Sequence, residues 1–232
     1  MPGRTYGTFC ALSKACEVIE PRWTLLLLNA MWSGNSRFND LRRAVGNISP
    51  AILSRRLAEL ETAGLVERVE DAAKGTVEYI RTAKAVELEE AMNALATWAQ
   101  RNIDADVVLH HYDLSHMMWS IRKIIRTEHF PQRRTAIRFH FTDEGGRFPT
   151  YWLVYHPGAE PEMSIWAPNF DIDLYVEASK VSLNAIFLGR STVSREIAAG
   201  RLFASGDARL ERTMEKWLPR SAYAEVRGTR QL

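Results

Sequence analysis

The hydrophobic period changes once along this chain, and the change limits it to two differently built parts. Leu88, Met92, Leu95 and Ala99 recur at i, i+4, i+7 and i+11, one stripe of a helix running from about Ala83 to Arg101. After the short polar stretch Asn102 to Asp106 the period becomes two: Ile137, Phe139 and Phe141 share one strand face, while Arg138, His140 and Thr142 share the other. The pattern predicts an α+β chain: a helical N-terminal domain over residues 1–103, a sheet-and-helix domain over 107–218, and a tail over 219–232. A length of 232 residues accommodates two such units, at roughly 150 residues per domain.

The densest local signals lie between Pro21 and Arg81. Pro21-Arg22-Trp23 opens an apolar helix that Gly34 closes; Ser36 is placed to cap a second helix over residues 37–45, and Gly46 stops it. Ser49-Pro50 then supplies a cap and a first-turn proline, and Gly64 ends a third helix of about four turns. Projected at about 100 degrees per residue, Leu53, Leu57 and Leu60 face inward, and Ala51, Ser54, Arg55 and Ala58 fall opposite. Small residues around one arginine allow close approach to base edges, where arginine donates bidentately to guanine. Arg56 projects to the flank, which predicts an internal pair or a phosphate contact. Leu65 to Val69 and Val77 to Arg81 read as two strands of a wing whose tip offers Lys74 to a phosphate. Three helices and a hairpin in this order predict a winged helix-turn-helix.

Overall charge does not decide the partner, because 30 basic and 28 acidic residues nearly cancel. The excess is local. Residues 37 to 56 hold five arginines against one aspartate, so Arg37, Ser49, Ala51, Ser54, Arg55, Arg56 and Lys74 form the candidate contact set for double-stranded DNA. No apolar run approaches the roughly 20 residues of a membrane span, and the first residues lack the apolar centre of a signal peptide. The expectation is a cytoplasmic protein with no membrane partner, whose two cysteines, Cys10 and Cys16, are reduced.

Pro21-Arg22-Trp23-Thr24-Leu25-Leu26, Gly34, Arg37-Phe38-Asn39-Asp40-Leu41-Arg42-Arg43, Ile48-Ser49-Pro50, Leu53-Ser54-Arg55-Arg56-Leu57, Leu60-Glu61 and Gly64-Leu65-Val66 together resemble the HxlR-type winged helix regulators over about residues 6 to 101. The resemblance implies a homodimer paired through the first helix and the long helix ending near Arg101, with a recognition helix from each subunit in a major groove. The stripe Leu88, Met92, Leu95 and Trp98 needs a cover in any case, either a partner subunit or the C-terminal half. Cys10 occupies the place where many members carry a cysteine that some use as a redox or electrophile sensor. Here Ala11 follows it instead of the usual proline, and a small buried hydrophobe near a dimer interface is the alternative role.

Beyond residue 107 the chain reads as a helix, strands near 136–142, 150–155, 163–166 and 172–176, and three helices over 179–188, 192–199 and 207–217, with an antiparallel meander as the simplest pairing. Strand Ala136 to Thr142, Tyr151 to Val154, Asp171 to Leu174, Ala199 to Leu202 and Ser205 to Asp207 resemble a sterol-carrier-protein-like domain. That resemblance implies an apolar cavity between sheet and helices and a hydrophobic small-molecule effector, with Trp119, Phe139, Phe141, Trp152 and Trp166 as candidate lining. A packed aromatic core is the alternative. All six histidines lie between 110 and 156, yet only His110 and Asp113 have helical ligand spacing, so no metal is expected. No nucleophile or acid–base constellation and no cofactor motif is present, which disfavours an enzyme. The expected function is a dimeric DNA-binding transcriptional regulator modulated by a hydrophobic compound. The alternative is a carrier of such compounds that uses the winged helix only to dimerise.

Overall fold

The computed structural model describes residues 5–46, 48–71, 75–103, 113–143 and 149–226. The chain divides into two compact units, Met1–Leu95 and Ala96–Leu232.

The first unit contains α1 (Ala11–Ile19), α2 (Thr24–Trp32), α3 (Phe38–Val45), α4 (Pro50–Thr62), the strands β1 (Val66–Asp71) and β2 (Thr76–Arg81), the single turn α5 (Ala83–Val86), and the start of α6 (Leu88–Asn102). Its core is built from Leu27, Leu28, Leu41, Ile48, Leu53, Leu57, Leu60 and Leu65, with Leu88 and Met92 packed against it. β1 and β2 pair antiparallel from Val66 opposite Arg81 to Asp71 opposite Thr76, forming the expected wing. Two local expectations need correction. Ser36 does not cap α3: the helix starts at Phe38 with Arg37 at the cap position and no side-chain cap. The Ser36–Arg37 segment pairs with the wing instead, the Ser36 carbonyl accepting the Tyr79 N–H at 2.8 Å and Arg37 bridging to Glu78. The long helix expected from Ala83 is broken into α5 and α6 at Glu87, after Thr82 caps the first turn through the Ala85 N–H.

The second unit begins inside α6 and continues with α7 (Leu114–Ile124), a 3-10 turn (Thr127–His129), β3 (Thr135–Phe141), β4 (Thr150–Tyr155), β5 (Glu162–Ser164), β6 (Leu174–Ala178), α8 (Lys180–Phe187), α9 (Val193–Ala198), β7 (Leu202–Gly206), α10 (Ala208–Arg212) and α11 (Met214–Trp217). The five strands lie in the order β5-β4-β3-β6-β7. The α+β class holds, but the meander does not: β6 lies beside β3 and parallel to it, Ile137 opposite Leu174, and β7 closes the other edge antiparallel to β6. The expected helix over 207–217 is two short ones that break at Thr213.

Period two sorts the sheet. Ile137, Phe139, Phe141, Tyr151, Leu153, Leu174, Val176 and Leu202 are buried with Leu114, Met118 and Ile121 of α7, Leu183 and Ile186 of α8, Val193 of α9 and Trp217 of α11. Residues 219–226 also belong to this packing. The Ser221 N–H donates to the Phe187 carbonyl at 2.7 Å, and Ala224 is buried. Gly189 ends α8 at φ +71, where a Cβ would stand 2.2 Å from the Ala224 carbonyl oxygen, so only glycine fits.

Candidate nucleic-acid interface

Local chemistry starts α4. The Ser49 hydroxyl accepts the Ile52 N–H at 3.3 Å, Pro50 fills the first turn, and Gly64 at φ +67 follows the last residues. Leu53, Leu57 and Leu60 are 0%, 1% and 3% exposed, which turns Ala51, Ser54, Arg55 and Ala58 to the surface as the projection requires. Arg55 extends with 74% of its side chain exposed, its Nε donating to Glu59 Oε1 at 2.9 Å. Arg56 lies along the helix with 16% of its side chain exposed and pairs with the other Glu59 oxygen, so of its two expected roles the chain uses the internal pair.

The remaining candidates spread around this helix. Arg37 reaches Glu78 of the wing at 3.5 Å and keeps 56% of its side chain exposed. Arg43 is held by Asp40 one turn earlier at 2.6 Å, and the Arg42 Nε donates to the Ile48 carbonyl at 3.4 Å, fixing the turn that leads into α4. Lys74 lies outside the described residues. Ser49 is engaged as a cap, so only its exposed face is open to a ligand.

The candidate dimer stripe divides along α6. Leu88 and Met92 pack on the first unit's own core, whereas Leu95 and Trp98 are 51% and 59% exposed. At the start of that unit, Phe9 just before α1 and Leu12 within it are exposed as well. Cys10, at the start of α1, is a free thiol that is exposed in the protomer. The N–H groups of Ser13 and then Leu12 lower its pKa below the ordinary thiol range. Cys16 is also a free thiol.

In the second unit the five aromatic candidates do not converge. Phe139 and Phe141 are buried on the helix-covered face of the sheet. Trp152 pairs in register with Arg138 and so lies on the opposite face, while Trp119 and Trp166 are 46% and 74% exposed. A single cavity lined by all five is therefore excluded by the alternation of β3 and β4. His110 and His111 lie outside the described residues. Asp113 caps α7 by accepting the His116 N–H at 2.8 Å. Among the described residues no group of three His, Cys, Asp or Glu is placed to hold a metal ion, and no helix is long and apolar enough to cross a membrane.

One polar site escaped sequence reasoning. Glu196 of α9 is fully buried, and Arg201 grips its two oxygens at 2.7 Å each. Ser191 donates to it at 2.5 Å and Ser182 donates as well. Burial pushes this carboxyl up, but the Arg201 pair and the two hydroxyls outweigh it and hold the pKa at about 2. A carboxylate held so firmly ionised is a poor proton acceptor, so the cluster ties α8, α9 and β7 together and offers no base for catalysis.

Residues 18–107 match the HxlR-like helix-turn-helix family. The HTH-type transcriptional regulator YtfH of Escherichia coli (strain K12) is 31% identical over 102 residues, covering 44% of this chain and 81% of that protein. YvaP of Bacillus subtilis (strain 168), also an HTH-type transcriptional regulator, is 34% identical over 92 residues, 39% of this chain and 85% of its own length. Among solved structures, the oxidized redox regulator HypR is 31% identical, covering 41% of this chain and 99% of that one, with a TM-score of 0.39. The family match ends at residue 107, so nearly all of the second unit lies beyond it. On the family match and the sequence identity to YtfH and YvaP, the chain belongs to the HxlR-like helix-turn-helix family of transcriptional regulators.

Proposed function

We propose that the protein regulates transcription as a homodimer that inserts α4 of each subunit into a major groove, with its second unit binding a hydrophobic small molecule. The observation that carries the DNA reading is the outer face of α4, where Ala51 and Ser54 flank an Arg55 side chain that is 74% exposed. Small neighbours let the helix approach base edges, and the arginine donates to guanine O6 and N7. Arg37, which pairs with the wing, and Lys74 are the phosphate contacts of this reading. Leu95 and Trp98, with Phe9 and Leu12, are the surface that pairing would cover. A two-fold dimer requires an inverted repeat with half-site centres about one helical turn apart.

For the effector, support comes from a sheet whose apolar face lies under helices, with Phe139 and Phe141 on the buried side. This arrangement agrees with the sterol-carrier-like reading, in which the ligand enters between the layers. A screen of lipids and aromatic hydrophobes for thermal stabilisation, followed by DNA affinity with each hit, tests it. Hits that shift DNA affinity support a sensor, hits without such a shift favour a carrier, and no hits refute ligand binding.

Selection of bound fragments from genomic DNA tests the central proposal. An enriched inverted repeat is expected, and Arg55→Ala should cost about 1 to 3 kcal/mol on that repeat while leaving random duplex nearly unchanged. Failure to enrich any motif would refute it.

A further inference from the structure

We propose that Glu59 is a positioning residue that sets how Arg55 meets DNA, restraining it to guanine at the expense of phosphate. The inference rests on the reading of α4 as the recognition helix. One carboxylate serves two arginines here: Oε1 accepts from the Arg55 Nε at 2.9 Å, and Oε2 accepts from Arg56 Nη1. Their surroundings differ. Arg56 keeps only 16% of its side chain exposed, and its Nε is buried without a hydrogen-bond partner, so Glu59 is the counter-charge that makes this near-buried cation tolerable. That need anchors the carboxylate on the helix surface, one turn beyond Arg55.

The anchored carboxylate then acts on Arg55. Engaging Nε fixes the guanidinium plane and leaves Nη1 and Nη2 as the outward pair, a fork whose two parallel donors match guanine O6 and N7. An unrestrained arginine on an exposed helix reaches phosphate oxygens as readily as base edges, and phosphate contacts carry no sequence information. Glu59 works against that in two ways: it holds the stem of Arg55, and its charge, with 41% of the side chain exposed, repels the phosphodiester backbone. The residue thereby lowers affinity for any duplex and raises discrimination between duplexes.

The test measures binding of the full chain to its selected repeat and to a random duplex of equal length, from 50 to 200 mM salt. Glu59→Gln keeps an accepting oxygen for Arg55 but removes the charge. It is expected to strengthen random-duplex binding severalfold and reduce the specific-to-random ratio by about tenfold. It should also steepen the slope of log K against log salt by about 0.9, the signature of one added phosphate contact. Because Glu59 also supports Arg56, the same comparison is made between Arg56→Met and the double variant Arg56→Met/Glu59→Gln, in which the near-buried cation is gone and the fold no longer depends on the pair. In that background, a specific-to-random ratio unchanged within about twofold and a salt slope that moves by well under the roughly 0.9 of one phosphate contact would overturn the proposal. If the wild-type chain shows no preferred sequence, the recognition-helix reading fails and Glu59 falls with it; if a preference exists and survives the loss of Glu59, only the role of Glu59 is wrong.

Discussion

Replacing Glu196 with glutamine should destabilise the second unit by an amount that can be worked from its surroundings. The carboxyl is fully buried and titrates near 2, against an ordinary value of 4.5. That difference corresponds to about 3 kcal/mol favouring the ionised folded state at neutral pH. Glutamine keeps the shape but replaces one acceptor oxygen with an NH2 donor facing groups that themselves donate. Arg201, half exposed at 49%, recovers hydration, so the loss should stay close to that figure and not exceed it greatly. Urea unfolding of the full chain, with segment-resolved hydrogen exchange assigning the transition that includes β7 and α9, measures it. The pH dependence has a definite sign. A depressed carboxyl contributes its full stability above pH 4.5 and loses it as pH falls toward 2, so the difference between wild type and variant should be constant from pH 5 to 7 and close progressively below that. A cost below about 1 kcal/mol at pH 7, or a difference that does not vary with acid, would refute the reasoning.

Gly189→Ala should lower stability by about 3 kcal/mol, because it combines a left-handed backbone with a Cβ driven into the Ala224 carbonyl. Gly200→Ala, at φ +68 with open space around it, should cost only about 1 kcal/mol, and thermal melts of the two variants side by side check the contrast. Leu95→Asp with Trp98→Asp should yield a monomer by sedimentation velocity at micromolar concentration and remove tight DNA binding, while circular dichroism stays unchanged, since both side chains are half exposed in the protomer. Ser49→Ala should cost about 1 kcal/mol through loss of the Ile52 cap, with a parallel weakening of DNA binding because the N-terminal turn of α4 frays.

What the sequence made legible is what neighbouring residues decide. Ser49-Pro50, the leucine triplet of α4 and Gly64 are separated by a few residues and act on one helix, so cap, buried face and end could all be read in advance. Ser36 has the same capping chemistry as Ser49, but pairing of residues 36 and 37 with a strand more than forty residues away keeps them extended and starts the helix one residue later, and no local signal announces that pairing. β6 shows the same limit. Its alternation marks a strand, yet its place in parallel beside β3 is a long-range choice that periodicity cannot express. Glu59 and Glu196 were passed over for a related reason: an acidic residue in a helix reads as solvated surface, and only the fold brings Arg201, Ser182 and Ser191 around the second of them. Aromatic residue type alone does not place a side chain: the register that sets Trp152 opposite Arg138 puts it on the face away from Phe139.

The central position of β3 has a consequence for how the chain reaches its folded state during synthesis. β3, β4 and β5 pair through nearby residues and are complete once Ser164 has emerged, but the other edge of β3 waits for β6, which ends at Ala178. In that interval a strand reading Thr-Ala-Ile-Arg-Phe-His-Phe presents one open row of backbone donors and acceptors, with Arg138 as its one formal charge. Parallel pairing across such a separation closes slowly, whereas the helices and hairpin of the first unit form from local contacts. The second unit is therefore expected to fold more slowly than the first, with the nascent edge of β3 as its most aggregation-prone feature until β6 docks.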